Sequence, residues 1–196
     1  MAAQHAQSDV EAARRWLDRA TEAARRSGNP SAIAFTAISQ GRVSGYLGHL
    51  DEARTWFRKA SEHAEETGDR RQQLVARSEL AHALRRAGEI DEAESEYRST
   101  IHAWGHLGNR GAIANQLECV AFIAQARGDG TRAAHLLGAA EALREVAESG
   151  MMSIERAEYD AELSRLRGDI DADALARAWA EGRAMTMDEA VGLALA

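Results

Sequence analysis

The chain has 196 residues, 24 basic against 31 acidic side chains, a formal net charge of -7 and a single cysteine. That balance excludes broad nucleic-acid binding, because no surplus of cations is available to displace counterions from a phosphate backbone. Cys119 alone cannot form an intrachain disulfide, and no apolar run approaches the roughly 18 residues a membrane span needs, so a cytoplasmic, non-membrane protein is expected.

Helix is expected almost everywhere. Alanine, leucine, arginine and glutamate dominate, and the one proline, Pro30, follows a glycine stop where its missing amide proton costs nothing. Residues 1–7 read as a disordered terminus. Ser8 and Glu11 then form a capping box, opening a helix with Ala13, Trp16, Leu17, Ala20 and Ala24 on one side. Forty residues later the pattern returns at Ala53, Trp56, Phe57, Ala60 and Ala64. Two glycine series keep the same 40-residue register, Gly28, Gly68, Gly108 and Gly48, Gly88, Gly128. A period of this size marks a solenoid, whose repeats bury their apolar faces only against neighbours.

Each glycine ends one helix and a polar residue starts the next. Asp51, Asp91 and Thr131 are expected to cap the helices that follow one series, and Asn29, Asp69 and Asn109 suit the turns after the other. Helices are predicted near 30–47, 51–67, 70–87, 91–107, 110–127 and 131–148. A small residue followed by a large one four positions on, Ala53 and Phe57, Ala93 and Tyr97, Ala133 and Leu137, defines the seam within each pair, facing Gly41, Ala81 and Ala121.

The register stops after Gly150. Three shorter helices near 153–167, 171–183 and 187–195 are predicted, the last behind a capping box from Thr186 to Glu189. The expected fold is all-α, a right-handed α-solenoid of helix-turn-helix repeats. Its parts are a half repeat 8–27, repeats 28–67, 68–107 and 108–150, and a helical cap 151–196 closing the end of the last repeat. The first helix lacks its partner, which suggests descent from, or cutting out of, something longer.

The small-to-aromatic spacing and the Gly-x-x-Asp-Glu-Ala junctions resemble tetratricopeptide repeats, lengthened from the usual 34 residues. The segments Leu136-Leu137-Gly138-Ala139-Ala140-Glu141, Glu155-Arg156-Ala157-Glu158-Tyr159 and Ala178-Trp179-Ala180-Glu181-Gly182-Arg183 are more specific. They are similar to the C-terminal helical region of actinobacterial LuxR-type or adenylate-cyclase-type regulators that carry an NTPase module. Ser149-Gly150-Met151-Met152 stands where those proteins have a proline-containing linker. The resemblance implies a sensor or scaffold arm that controls a catalytic or DNA-binding module elsewhere. The chain itself has no phosphate-binding Gly-x-x-x-x-Gly-Lys-Ser/Thr loop.

The register places Phe35, Ile38, Arg42 and Tyr46, then Val75, Ser78, His82, Arg85 and Arg86, then Asn115, Glu118, Phe122 and Gln125 on the concave face of such a stack. This face is the candidate site for a protein or peptide partner. Its arginines, beside Tyr46 and His82, also suit an anionic ligand. The rival assignment is an ordinary solvated helix surface. His102 and His106 have the spacing of a metal pair, but Ala103 replaces the glutamate of a zinc hydrolase and no third ligand is apparent, so no metal and no cofactor are expected. Cys119 reads as a buried inert thiol. Trp16 and Leu17, uncovered on the first helix, are candidates for contact with a second copy of the chain. The expected function is a non-catalytic interaction or effector-sensing module of a bacterial regulator. A standalone peptide- or small-ligand-sensing protein is the first alternative, and an enzyme the weakest, because no nucleophile, base and orienting group can be assembled.

Overall fold

The computed structural model describes residues 2–151 and 153–196, with side chains for 12–151 and 155–196. The described residues form ten helices and no strand: α1 Ala2–Ser27, α2 Pro30–Tyr46, α3 Leu50–Glu66, α4 Arg70–Arg86, α5 Ile90–His106, α6 Arg110–Ala126, α7 Gly130–Ala147, α8 Ser153–Asp169, α9 Ala172–Ala184 and α10 Met187–Leu195. The expected all-α repeat class is found, with α2 to α6 each 17 residues long. None of these helices is long and apolar enough to cross a membrane.

One turn serves throughout the array. At Gly88 the backbone reaches φ +83°, a region that costs a side-chain-bearing residue energy, and the amide of Glu89 then donates to the carbonyl of Leu84 at 3.0 Å. Asn109 and Asp129 donate in the same way to Trp104 and Ala124. The residue after the glycine is therefore already the cap of the next helix. Asn29, Asp69, Asn109 and Asp129 each accept a first-turn amide with the side chain.

This corrects the predicted caps. Asp51, Asp91 and Thr131 lie inside the first turns of α3, α5 and α7, because the linker is shorter than a separate stop and start would need. There the two aspartates still favour the positive end of the helix dipole. The Thr186–Glu189 capping box is present. The box at Ser8 and Glu11 concerns side chains outside the described residues, and the backbone of α1 is already helical from Ala2.

The chain divides into two compact units, residues 1–89 and 90–196, with the division between α4 and α5. In the N-terminal unit α2 packs on α3 through the predicted seam. Ala53 is fully buried, and a Cβ on Gly41 would stand 2.4 Å from the Phe57 ring, so only glycine admits that ring. Ala37, Ile38, Ala60 and Ala76 form a core flanked by Trp56 and Val75. The α1 helix is tied on by polar contacts. Gln40 donates to Asp18 and Thr21, and Arg14 forks onto the two carboxylate oxygens of Glu52. Ala24 is buried in α1, whereas Ala13, Trp16 and Ala20 are exposed where their counterparts in α3 are covered by α2 or α4.

The C-terminal unit contains α5 to α10. Thr100 donates to Gln116 at 2.7 Å between α5 and α6, both side chains being buried. The tail does more than close an end. The α9 helix packs along α7, α8 lies against α6 and α7, and α10 touches α5, α6 and α7. Arg132 donates to the carbonyls of Leu193 and Ala194, and Arg98 to that of Leu195, so cations satisfy carbonyls that end α10 without a partner in the helix.

Backbone contact decides how α7 and α9 meet. A Cβ on Gly138 would lie 2.3 Å from the Trp179 carbonyl oxygen, and one on Gly182 only 2.0 Å from that of His135. Both glycines stand in segments that carry the family resemblance, and their physical task is to let two helix backbones touch.

Candidate functional site

The predicted concave residues fall into two groups with different surroundings. On α2, Phe35, Ser39, Arg42 and Tyr46 are spaced i, i+4, i+7 and i+11, which puts them on one side of the helix. Phe35 is 64% exposed and Tyr46 62% exposed, values that stand out among large apolar side chains. Arg42 meets Glu79 of α4 at 2.7 Å, so its charge is matched within the protein. The 40-residue register places Val75, Glu79, His82 and Arg86 at the equivalent positions of α4, which packs beside α2. His82 and Arg85 are half-buried and Arg86 is exposed. Two members of the predicted face belong to the interior instead: Ile38 is in the core, and Ser78 is only 8% exposed.

The corresponding face of α6 is covered by the chain itself. Asn115 donates to Glu155 of α8, Phe122 meets the Tyr159 ring edge to face with centroids 6.4 Å apart, and the Gln125 amide reaches the α8 backbone at Glu162 and Leu166. Phe122 is buried. Glu118 is too, gripped by Arg144 of α7 through a fork of 2.6 and 2.8 Å. The expectation that these residues line an open face is therefore corrected: α8 occupies it. Burial works against the Arg144 charge, but the hydrogen bond to Glu118 and the nearby Glu118 and Glu155 carboxylates together outweigh it and raise the guanidinium pKa.

The exposed aromatic face of α2 and α4 and the filled face of α6 are two versions of one surface. The first leaves two rings and an ion pair facing solution. The second is filled by α8, which presents the Tyr159 ring and the Glu155 carboxylate to it.

His102 and His106 are exposed with rings 4.5 Å apart, and no group of three or more histidine, cysteine, aspartate or glutamate side chains able to hold a metal occurs among the described residues. Cys119 is 5% exposed on α6. Trp16 is 65% exposed, with the Arg19 guanidinium 4.6 Å from its ring centre, and Leu17 beside it is half-buried.

A feature not anticipated from sequence lies between α8 and α9. These helices splay apart over α7 and leave a cleft of about 830 Å³. Trp179 lines it with its indole Nε1 donating to Glu141 at 2.8 Å, and Arg183 bonds to Glu141 and Glu145. The signal was present, since Arg156, Leu163 and Arg167 on α8 and Leu175, Trp179 and Arg183 on α9 recur at helical spacing. What sequence could not show is that the two stripes face each other without meeting.

The chain is similar to a segment of curated proteins named as transcriptional regulators of the HTH type. Curated proteins of Mycobacterium bovis and Mycobacterium tuberculosis that carry the name "Putative HTH-type transcriptional regulator" are 32% identical to it over 125 residues, 62% of this chain. The aligned region amounts to 14% of each of those proteins, so the chain spans a small part of the length of the relatives it matches. No protein-family model and no solved structure matches the chain.

Proposed function

We propose that the chain is a non-catalytic interaction arm, of the tetratricopeptide kind found in LuxR-type regulators. In this reading it takes a protein or peptide partner on the face built by α2 and α4. The observation that carries the reading is the exposed pair Phe35 and Tyr46 flanking the Arg42–Glu79 ion pair. Solvated aromatic rings cost energy, and in complexes such residues contribute most of the binding. The mycobacterial relatives support the regulator setting: they are named for an HTH module, and the match covers a minor part of their length. A net charge of -7 favours a protein partner over direct contact with nucleic acid and suits a cytoplasmic module.

The double variant Phe35→Ser/Tyr46→Ser tests this directly. Immobilised chain is exposed to host extract and the captured proteins are compared with those held by the unaltered chain. The variant is expected to keep its helical circular dichroism and to hold at least one specific partner about 10-fold more weakly. Identical capture by both chains contradicts the proposal.

A second reading concerns α1. With Trp16 uncovered, pairing of α1 with a second copy would bury it. Multi-angle light scattering should then show a dimer that Trp16→Ser converts to monomer; a strict monomer from the unaltered chain ends this reading.

A further inference from the structure

The cleft between α8 and α9 lies within the C-terminal unit and apart from the α2–α4 face. Its volume of about 830 Å³ falls in the range of sites that hold small molecules. Apolar side chains from both helices line it, Leu163 of α8 and Leu175 and Trp179 of α9. The charges of Trp179's end are already matched, because Glu141 and Glu145 together hold the indole and Arg183.

The α8 wall carries two cations, Arg156 and Arg167, and one carboxylate, Asp160. Arg156 stands with its guanidinium carbon 5.6 Å from the Tyr159 ring centre and has Asp160 only at 3.9 Å, beyond hydrogen-bond distance. Arg167 lines the same wall, eleven positions further along α8, and makes no ion pair among the described residues. Tyr159 lines both this cleft and a neighbouring one of about 400 Å³. Burial, and then the carboxylates of Glu118 and Glu141, push its phenol up to about 12, so at neutral pH it remains a donor.

We infer that this cleft binds an amphiphilic organic anion, with its apolar body between Leu163, Leu175 and Trp179 and its anionic head on Arg156 and Tyr159. An arginine with a loosely held counter-charge and a phenol donor suit a carboxylate or phosphate ester, and the apolar walls reject small inorganic anions that bring nothing to cover them. Such a ligand bridges α8 and α9 across the cleft, away from the short turn at Ile170 and Asp171 that joins them. Its binding would therefore tighten the docking of both on the repeat.

The test uses the full chain and a matched pair of probes, 1-naphthaleneacetate and its neutral amide, in isothermal titration calorimetry. The acetate is expected to bind with one-to-one stoichiometry at least 10-fold more tightly than the amide. Arg156→Gln should abolish that preference while leaving weak binding of both. Ala176→Leu, which projects a larger side chain into the cleft from an exposed helical position, should remove binding of both probes while circular dichroism and melting stay unchanged. Acetate binding no tighter than about 1 mM overturns the inference. So does equal affinity for the two probes, or binding that survives Ala176→Leu.

Discussion

Gly182→Ala should lower the melting temperature of the 196-residue chain by about 6 to 12 °C, the consequence of a loss on the order of 3 kcal/mol. The added methyl would arrive 2.0 Å from the His135 carbonyl oxygen, which belongs to the backbone of α7 and cannot swing aside as a side chain would. Relief requires α9 to lift from α7. That movement would also disturb the Trp179–Glu141 bond and the Arg183 forks onto Glu141 and Glu145. Gly138→Ala, at 2.3 Å from the Trp179 carbonyl oxygen, should behave alike. Gly192→Ala is the control, since it sits in α10 with nothing within 4 Å. That change should be neutral or stabilise by up to about 1 kcal/mol through helix propensity alone. Differential scanning calorimetry of the three variants checks the contrast. Equal melting of Gly182→Ala and Gly192→Ala would mean that α9 does not dock on α7 in this way.

The second large effect is expected at the buried ion pair. Glu118 and Arg144 have side chains only 5% and 12% exposed, joined by two short hydrogen bonds, with a further Arg144 bond to the Gly150 carbonyl at 3.2 Å. Removing one partner leaves the other charge stranded away from water. Glu118→Leu and Arg144→Met should each cost about 3 to 5 kcal/mol. The double variant Glu118→Leu/Arg144→Met should recover most of that loss, because replacing both charges by apolar groups removes the desolvation penalty together with the attraction. Denaturant unfolding of all four proteins measures the coupling. Additive losses would show that the two side chains do not depend on one another.

Fold and site were readable to different depths, for physical reasons. The glycine turns were readable because a left-handed residue at the end of a helix is a local requirement that no distant contact can supply. The seam positions Gly41, Ala53 and Phe57 were readable because they repeat. The starts of α2, α4 and α6 were read correctly, whereas those of α3, α5 and α7 were displaced by one residue, since a residue such as Asp129 finishes one helix while capping the next, and sequence alone counts those tasks separately. The end of the chain follows no repeat. Its three helices were placed correctly, but their docking depends on Gly138 and Gly182, whose lack of a side chain becomes meaningful only when the opposing backbone is known.

The candidate face shows the same limit. Phe35 and Tyr46 were identified by register and are exposed, whereas Phe122 holds the register position of Arg42 and is buried against Tyr159 of α8, and Glu118 holds the position of Ile38 and Ser78, which is interior in every repeat. The composition of α6 held the clue: a lone glutamate within Leu117-Glu118-Cys119-Val120-Ala121-Phe122 is a charge in an apolar run and demands a partner. Arg144, 26 residues away, could be named only from the structure.

Hydrogen exchange on the intact chain, free and then saturated with a partner it captures, examines the proposed division of labour between the two faces most directly. Residues 110–126 of α6 should already be protected in the free protein by α8 and should not change. Partner binding should add protection in α2 and α4, across residues 30–46 and 70–86, and nowhere in α8. New protection confined to α6 and α8, with α2 and α4 unaffected, would contradict the account.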